Sequence, residues 1–215
     1  MNKRHGQYYA AWKRLCKNKR AMVGLSILVV IILGALFAGA LAPEGYDYQN
    51  YEVCLLKPCW EYPFGTDQFG RNILSRILYG GRISLAVGFS AVVLSVSVGT
   101  LIGSLAGYYG GAIDNISMRI MDVMMAIPNI LLAIAVCAAL GNGIQNMVFA
   151  IAICAVPGHA RVVRSAVLSA RNQEYIEAAV SNGASDFRII FRYILPNCLA
   201  PIIVQATMSV AKAIL

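Results

Sequence analysis

Long charge-free stretches in this 215-residue chain set its elements. Ala21 to Ala42 runs 22 residues without a charge, and about 20 apolar residues cross a hydrocarbon core of ~30 Å as a helix. Ile83 to Ile113 and Val123 to Ala160 are likewise uncharged. The second of these is too long for one span and is broken at Gly141-Asn142-Gly143, a tight turn between two helices. A last apolar stretch starts near Pro196 and is still running at Leu215. The pattern predicts spans near 21–42, 84–107, 118–140, 144–160 and 197–215, in an all-α, polytopic membrane helical bundle. Composition agrees. The chain is 59% hydrophobic and 13% charged, with a mean hydropathy of +0.65, whereas soluble domains are nearer ~25% charged.

Charge then orients the spans. Residues 1–20 hold Lys3, Arg4, Lys13, Arg14, Lys17, Lys19 and Arg20 and no acid, and cationic flanks stay on the cytoplasmic side. The reading is a basic cytoplasmic N-terminal segment (1–20), a first span (21–42), an external loop (43–82) and a transmembrane domain (83–215). The external loop has four cations against five acids. Parity returns 161–196 to the cytoplasm, where Arg161, Arg164, Arg171, Arg188 and Arg192 lie. Tyr8, Tyr9, Trp12 and Leu15 give the N-terminus an interfacial face. No nucleic-acid-binding module follows it, so nucleic acid is not an expected partner. The first span exceeds the 7–15-residue apolar core of a cleaved signal peptide.

One polar segment between spans is unusually organised: Glu177 to Pro196, EAAVSNGASDFRIIFRYILP. A short helix from a cap at Asn172 is expected to stop at Asn182-Gly183, where glycine supplies a left-handed residue. Ser185 or Asp186 caps a second helix with Phe187, Ile190, Phe191 and Ile194 at i, i+3, i+4 and i+7. Glu177, Ala178, Ala179, Gly183, Leu195 and Pro196 resemble the coupling loop of ABC importer permeases, with Tyr193 where that pattern prefers isoleucine. The resemblance implies that 161–196 holds a loop gripped by a cytoplasmic ATPase around Tyr175 to Asp186, including Ala184.

A second segment narrows the resemblance. Phe64, Gly65, Thr66, Asp67, Gly70 and Arg71, followed by Ser75, Arg76, Tyr79-Gly80-Gly81-Arg82, resemble the entry to the second span of dipeptide, oligopeptide and nickel permeases, with Asn72 where such members often have Asp. Glycine turns and the spacing of Arg71, Arg76 and Arg82 predict an amphipathic external element lying across the membrane face. It would cap the pathway, receive a binding protein, or fix the entry of the second span. Cys54 and Cys59 in the same loop are spaced to close a small disulfide. No metal site is expected there, for want of a nearby His or further Cys.

Within the membrane, Gly99, Gly103 and Gly107, with Ser95 one step earlier, form a small-residue face for close helix approach. Arg119 and Asp122 sit one helical turn apart. Pro128 and Pro157 are expected to kink their helices. His159 reads as a polar residue at a cytoplasmic helix end. Lys212, near the end of the chain, reads as snorkelling. The sequence contains no Gly-Lys dipeptide, so a phosphate-binding loop is not expected, and neither is enzymatic activity. Lacking visible internal repeats or a deep intramembrane charge, the chain reads less well as a self-contained channel or secondary carrier.

The resemblance implies the transmembrane subunit of an ATP-driven peptide importer, with a nickel-type importer as the alternative. Its implied partners are a homologous second permease, two cytoplasmic ABC ATPases that use the ATP, an external substrate-binding protein and the lipid bilayer. No cofactor would be bound by this chain directly. The implied location is a bacterial or archaeal cytoplasmic membrane. Such permeases normally have six spans, so a chain ending inside the fifth is expected to be a truncated form or to have the missing piece supplied by another chain.

Overall fold

The computed structural model describes residues 13, 15–42 and 44–214. Lys3, Arg4, Tyr8, Tyr9, Trp12, Arg14 and Leu215 lie outside the described residues. The chain divides into two compact units, Met1–Ser84 and Leu85–Leu215. Among the described residues every named element is helical, and three helices are long and apolar enough to cross a membrane, or five if each of two bent pairs counts as one span.

In the first unit α1 (Lys19–Leu36) starts at Asn18, whose side chain accepts from the Ala21 amide. After a break at Phe37 a short α2 (Ala38–Leu41) follows. The close approach of α1 to the start of the next helix, α3 (Ile73–Tyr109), relies on small residues. Gly81 meets the Ala35 methyl, and Gly34 meets the Leu78 side chain. α3 begins well before the predicted start of the second span at 84. Gly80-Gly81 and Arg82 are therefore helix interior, not a turn. Residues before Ile73 form a compact loop that feeds this continuous helix. Asn72 makes that start, its side chain accepting from the Leu74 amide and its carbonyl from Arg76.

The second unit is built around α6 (Ile144–Arg171), preceded by α4 (Gly111–Ala126) and α5 (Asn129–Leu140). The predicted third span is two helices meeting at 96°. Pro128 does not kink a continuous helix. Ile127 before it is extended (φ −92°, ψ 131°), because the proline ring disfavours the α region in the preceding residue. Pro157 differs: α6 continues through it and on past the predicted end at 160 to Arg171. The first eleven residues of the predicted 161–196 loop thus continue the fourth span. The last helix, α10 (Leu199–Ile214), meets the preceding segment Asp186–Asn197 at 67°.

Gly99, Gly103 and Gly107 face α6. A Cβ on Gly99 would come 2.5 Å from that of His159 and 3.0 Å from the Ala160 nitrogen. On Gly103 it would overlap the Ala160 carbonyl oxygen, and on Gly107 it would reach the Arg164 oxygen at 2.9 Å. Ser95 and Ser104 are buried on the same helix and return their hydroxyls to Val92 and Leu101 carbonyls. His159 is consequently not at a helix end. It is 2% exposed in mid-α6, and its Nε2 has no hydrogen-bond partner among the described residues.

Candidate functional site

α6 ends at Arg171, and α7 (Glu174–Ser181) begins directly after Gln173. Asn172 is the C-cap of α6 instead of the N-cap of α7. The α7 N-cap is Gln173, extended at φ −93° with no side-chain cap bond. α7 buries Ile176 and Ala179 against Val163, Val167 and Ala170 of α6 and against Ile189 and Ile194. That leaves Tyr175, Glu177, Ala178, Val180 and Ser181 outward. Alanine at 178 keeps the outer surface low, and alanine at 179 lets the helix sit close on the core.

The end of α7 is a Schellman turn. The Ala184 amide donates to the Ala179 carbonyl at 3.1 Å and the Gly183 amide to Val180 at 2.9 Å, with Gly183 at φ +70°. Both bonds satisfy carbonyls that the helix end would leave unpaired. The chain reverses into α8 (Asp186–Arg188), with Ser185 as an extended N-cap whose carbonyl accepts from Ile189 but whose hydroxyl makes no cap bond. Asp186 does not cap either. Its carboxylate accepts from the Tyr108 hydroxyl at 2.8 Å and the Tyr109 hydroxyl at 3.1 Å. The turn is thereby fastened to the end of α3, and a hollow of about 540 Å³ opens beside it, lined by Tyr108, Tyr109, Arg171, Glu177, Val180 and Asp186.

The predicted second helix takes an unexpected form. Ile189–Ile194 is a π-helix, so residues five apart align where an α-helix would align four. Ile189, Ile190 and Ile194 are buried, while Phe187 and Phe191 turn outward. The expected face of Phe187, Ile190, Phe191 and Ile194 is therefore split. Leu195 and Pro196 open a short α9 (Leu195–Asn197), proline lying in its first turn where its missing N–H costs nothing. Asn197 donates to the Tyr193 carbonyl at 2.7 Å and the Tyr175 hydroxyl at 3.3 Å, tying the two limbs of the loop.

α6 also carries a row of arginines. Arg161 reaches Asp122 at 2.7 Å, Arg164 pairs with Asp114 through two hydrogen bonds, and Arg171 donates to the Tyr108 carbonyl at 2.8 Å. The last contact satisfies a free carbonyl at the C-terminus of α3 and places a cation at its negative end. Asp122 therefore pairs with Arg161, not with Arg119 one turn away. Sequence reasoning missed Tyr108, Tyr109 and Asp114, and it used Arg164 and Arg171 only as charges that orient the loop. The available signal was the pair of tyrosines directly before Gly110-Gly111, and a lone Asp114 inside an apolar region. Arg164→Gln strands the carboxylate of Asp114, whose side chain is 15% exposed. A loss of about 2 kcal/mol is expected, read as a lower unfolding midpoint, with part of it recovered in Arg164→Gln/Asp114→Asn.

The Phe64–Arg76 signature lies in the first unit. Thr66 pairs with Asn72 in an isolated antiparallel bridge, and its amide donates to Leu56 while its hydroxyl accepts from the Leu56 amide. Phe64 is exposed, and Gly65 and Gly70 turn the chain at φ +75° and +68°. Asp67 is the hub. Its carboxylate accepts from the Phe69 and Arg71 amides, from Arg71 Nε at 2.8 Å and from Arg76 at 2.7 Å. Partial burial pushes this carboxyl up, but the two amides and the guanidinium outweigh it and hold it down at about 2. A depressed value means that its contribution is complete above the ordinary carboxylate range and is lost only as pH falls through about 2. Proteolytic protection of residues 64–76 is thus expected to be flat from neutral pH down to about 4, and Asp67→Asn to lose it at neutral pH. Ser75 is buried one turn into α3. Cys54 and Cys59 are free thiols, correcting the expected disulfide. The Cys59 sulfur instead accepts from the Tyr62 amide within its own turn, and Leu55 beside Cys54 is fixed at φ +53°.

Comparison with known proteins places the chain in a family. Residues 99–215 match the family described as "binding-protein-dependent transport system inner membrane component", and residues 6–58 match the "N-terminal TM domain of oligopeptide transport permease C". The chain is 52% identical to the dipeptide transport system permease protein DppC of Alkalihalophilus pseudofirmus, over 95% of this chain and 67% of that protein. It is 42% identical to DppC of Haemophilus influenzae over 95% of this chain and 71% of that protein, and 43% identical to the glutathione transport system permease protein GsiD of Escherichia coli over 97% and 69%. With its apolar helices, this makes it a multi-pass inner-membrane protein. The chain belongs to the family of inner-membrane components of binding-protein-dependent transport systems.

Proposed function

We propose that this chain is a transmembrane subunit of an ATP-driven importer of dipeptides or short oligopeptides, and that residues 174–186 are the surface on which a cytoplasmic ATPase bears. The N-terminus lies inside, a second homologous permease completes the path, two ATPases hydrolyse ATP beneath, and an external binding protein delivers cargo near the Phe64–Arg76 loop. Peptide cargo is favoured over nickel because the relatives described above are named for dipeptide and glutathione transport. Residues 1–20, 21–42, 43–82 and 83–215 remain the proposed cytoplasmic segment, first span, external loop and transmembrane domain.

The observation that carries the reading is the fastening of the loop to a span. A force on Tyr175, Glu177 and Ala178 passes through Ala179 and the Gly183–Ala184 turn to Asp186, and from Asp186 to the Tyr108 and Tyr109 hydroxyls. Leu195 and Pro196 carry the other limb into α10. ATPase closure would then tilt spans as rigid bodies between inward-facing and outward-facing states. Binding and transmission are separable. Tyr108→Phe/Tyr109→Phe is expected to co-purify with the ATPases as wild type does, yet to lower uptake about tenfold, the equivalent of ~1.4 kcal/mol of coupling. Uptake at the wild-type level in that double variant contradicts the linkage. Failure of the wild-type chain to retain ATPases contradicts the docking surface itself.

A further inference from the structure

We propose that the outward face of residues 187–192 is a binding site for anionic phospholipid headgroups, with Phe187 and Phe191 seated at the acyl boundary and Arg188 and Arg192 on the phosphates. The inference rests on the reading of this loop as the cytoplasmic, membrane-adjacent limb of the importer.

Four exposed side chains form the patch. Phe187 is 71% exposed and Phe191 44%, and their rings stack with centroids 4.5 Å apart. Arg188 and Arg192 are exposed beside them, and neither is in an ion pair among the described residues. Asp186, the acid nearest in sequence, is occupied by two tyrosine hydroxyls. An α-helical register would have placed both rings on the face that carries Ile190 and Ile194. The π-turn instead buries Ile189, Ile190 and Ile194 and leaves the rings outside. π-turns are rare and concentrate at functional sites, so the exposed rings are a feature the local backbone is built around.

Position and charge select the occupant. Arg192 precedes α10 by seven residues, roughly 10 Å of helix, which is comparable with the depth of a headgroup layer. The 67° bend between Asp186–Asn197 and α10 lays the patch toward the membrane plane if α10 crosses the bilayer. α10 itself presents Leu199, Ile203 and Val204 outward, an apolar surface suited to acyl chains. Apolar rings interleaved with unpaired guanidiniums are the pattern of an interfacial segment, and each cation near an anionic surface adds a favourable increment. The limb proposed to meet the ATPase, α7, lies on the other side of Gly183 and carries acids at Glu174 and Glu177.

The test uses the assembled importer in nanodiscs containing phosphatidylglycerol and phosphatidylcholine, with retained lipid counted by native mass spectrometry. Wild type is expected to retain phosphatidylglycerol selectively. R188Q/R192Q is expected to weaken that retention about 30-fold, R188K/R192K to keep most of it, and F187S/F191S to reduce it with both charges in place. ATPase co-purification in detergent free of anionic lipid is expected to be unchanged in all three. Equal phosphatidylglycerol retention in wild type and R188Q/R192Q overturns the proposal. So does loss of the ATPases in R188Q/R192Q, which would make the patch a protein contact. A wild-type chain that shows the lipid preference but retains no ATPase overturns the importer reading and leaves the lipid site standing.

Discussion

Gly103→Leu is expected to abolish accumulation of folded protein in the membrane. At this position even a methyl overlaps the Ala160 carbonyl oxygen and comes 2.9 Å from the Val163 Cβ and 3.0 Å from the Arg164 nitrogen. These atoms are backbone or the β-branched stem of a neighbour, so no flexible side-chain end can move aside. Gly99 and Gly107 approach the same helix one turn to either side, so α3 cannot tilt away at one step without losing the others. Overpacking commonly costs 1–3 kcal/mol, and a leucine here is expected to cost about 3 kcal/mol or more. Lateral packing through small residues is a main source of helix association in lipid, so little remains to offset the loss. Gly103→Ala should act in the same direction with a smaller effect. Gly80, on the same helix, has nothing within 4 Å of its would-be Cβ, and Gly80→Ala is expected to stabilise by about 1 kcal/mol through helix propensity. The yield of folded protein in the membrane ranks the three variants, and thermal unfolding in detergent orders those that accumulate. A Gly103→Leu protein as stable as Gly80→Ala would contradict the packing account.

Gly183→Val is expected to leave membrane levels intact and to cut uptake about tenfold or more. No atom lies within 4 Å of a Cβ built there, but φ is +70°. The cost is therefore conformational. A left-handed L-residue costs roughly 1–2 kcal/mol and a β-branched one more, enough to unwind the turn without unfolding the spans. The Ala184 to Ala179 bond breaks with it, and Asp186 loses its aim at the two tyrosines. Gly183→Asn should retain most activity, because asparagine tolerates this conformation. Uptake assays at matched protein levels check the order Gly, Asn, Val. Equal uptake in all three would show that the turn transmits nothing.

The sequence made the span-forming stretches visible because hydrocarbon thickness demands long charge-free runs, and charge is easily read from residue type. Helix ends were less legible. Nothing between Ala160 and Arg171 halts a helix, so α6 continued into what charge alone marked as loop. Ile127-Pro128 was read as a kink, whereas a 96° bend needs the tertiary setting to choose a break over a curve. The Gly183 turn was legible because one residue type suits a left-handed position. The π-turn was not, since its register is decided by which isoleucines the α6 surface accepts. Of the two caps the sequence offers, Ser185 and Asp186, it is Ser185 that stands at the N-cap position, while Asp186 bonds elsewhere. Its partners, Tyr108 and Tyr109, lie more than 70 residues away in sequence, and no local pattern announces such a bond.

The most direct test of the account is disulfide cross-linking in native membranes between Ala178→Cys and a cysteine placed in the surface cleft of each partner ATPase, with and without ATP. Ala178 is exposed on α7. The expected result is a cross-link to one ATPase whose yield changes with ATP, and no cross-link from an equivalent cysteine at Phe64 in the proposed external loop. A cross-link absent at Ala178 but formed from the Phe64 position would reverse the proposed orientation and remove the coupling role from residues 174–186.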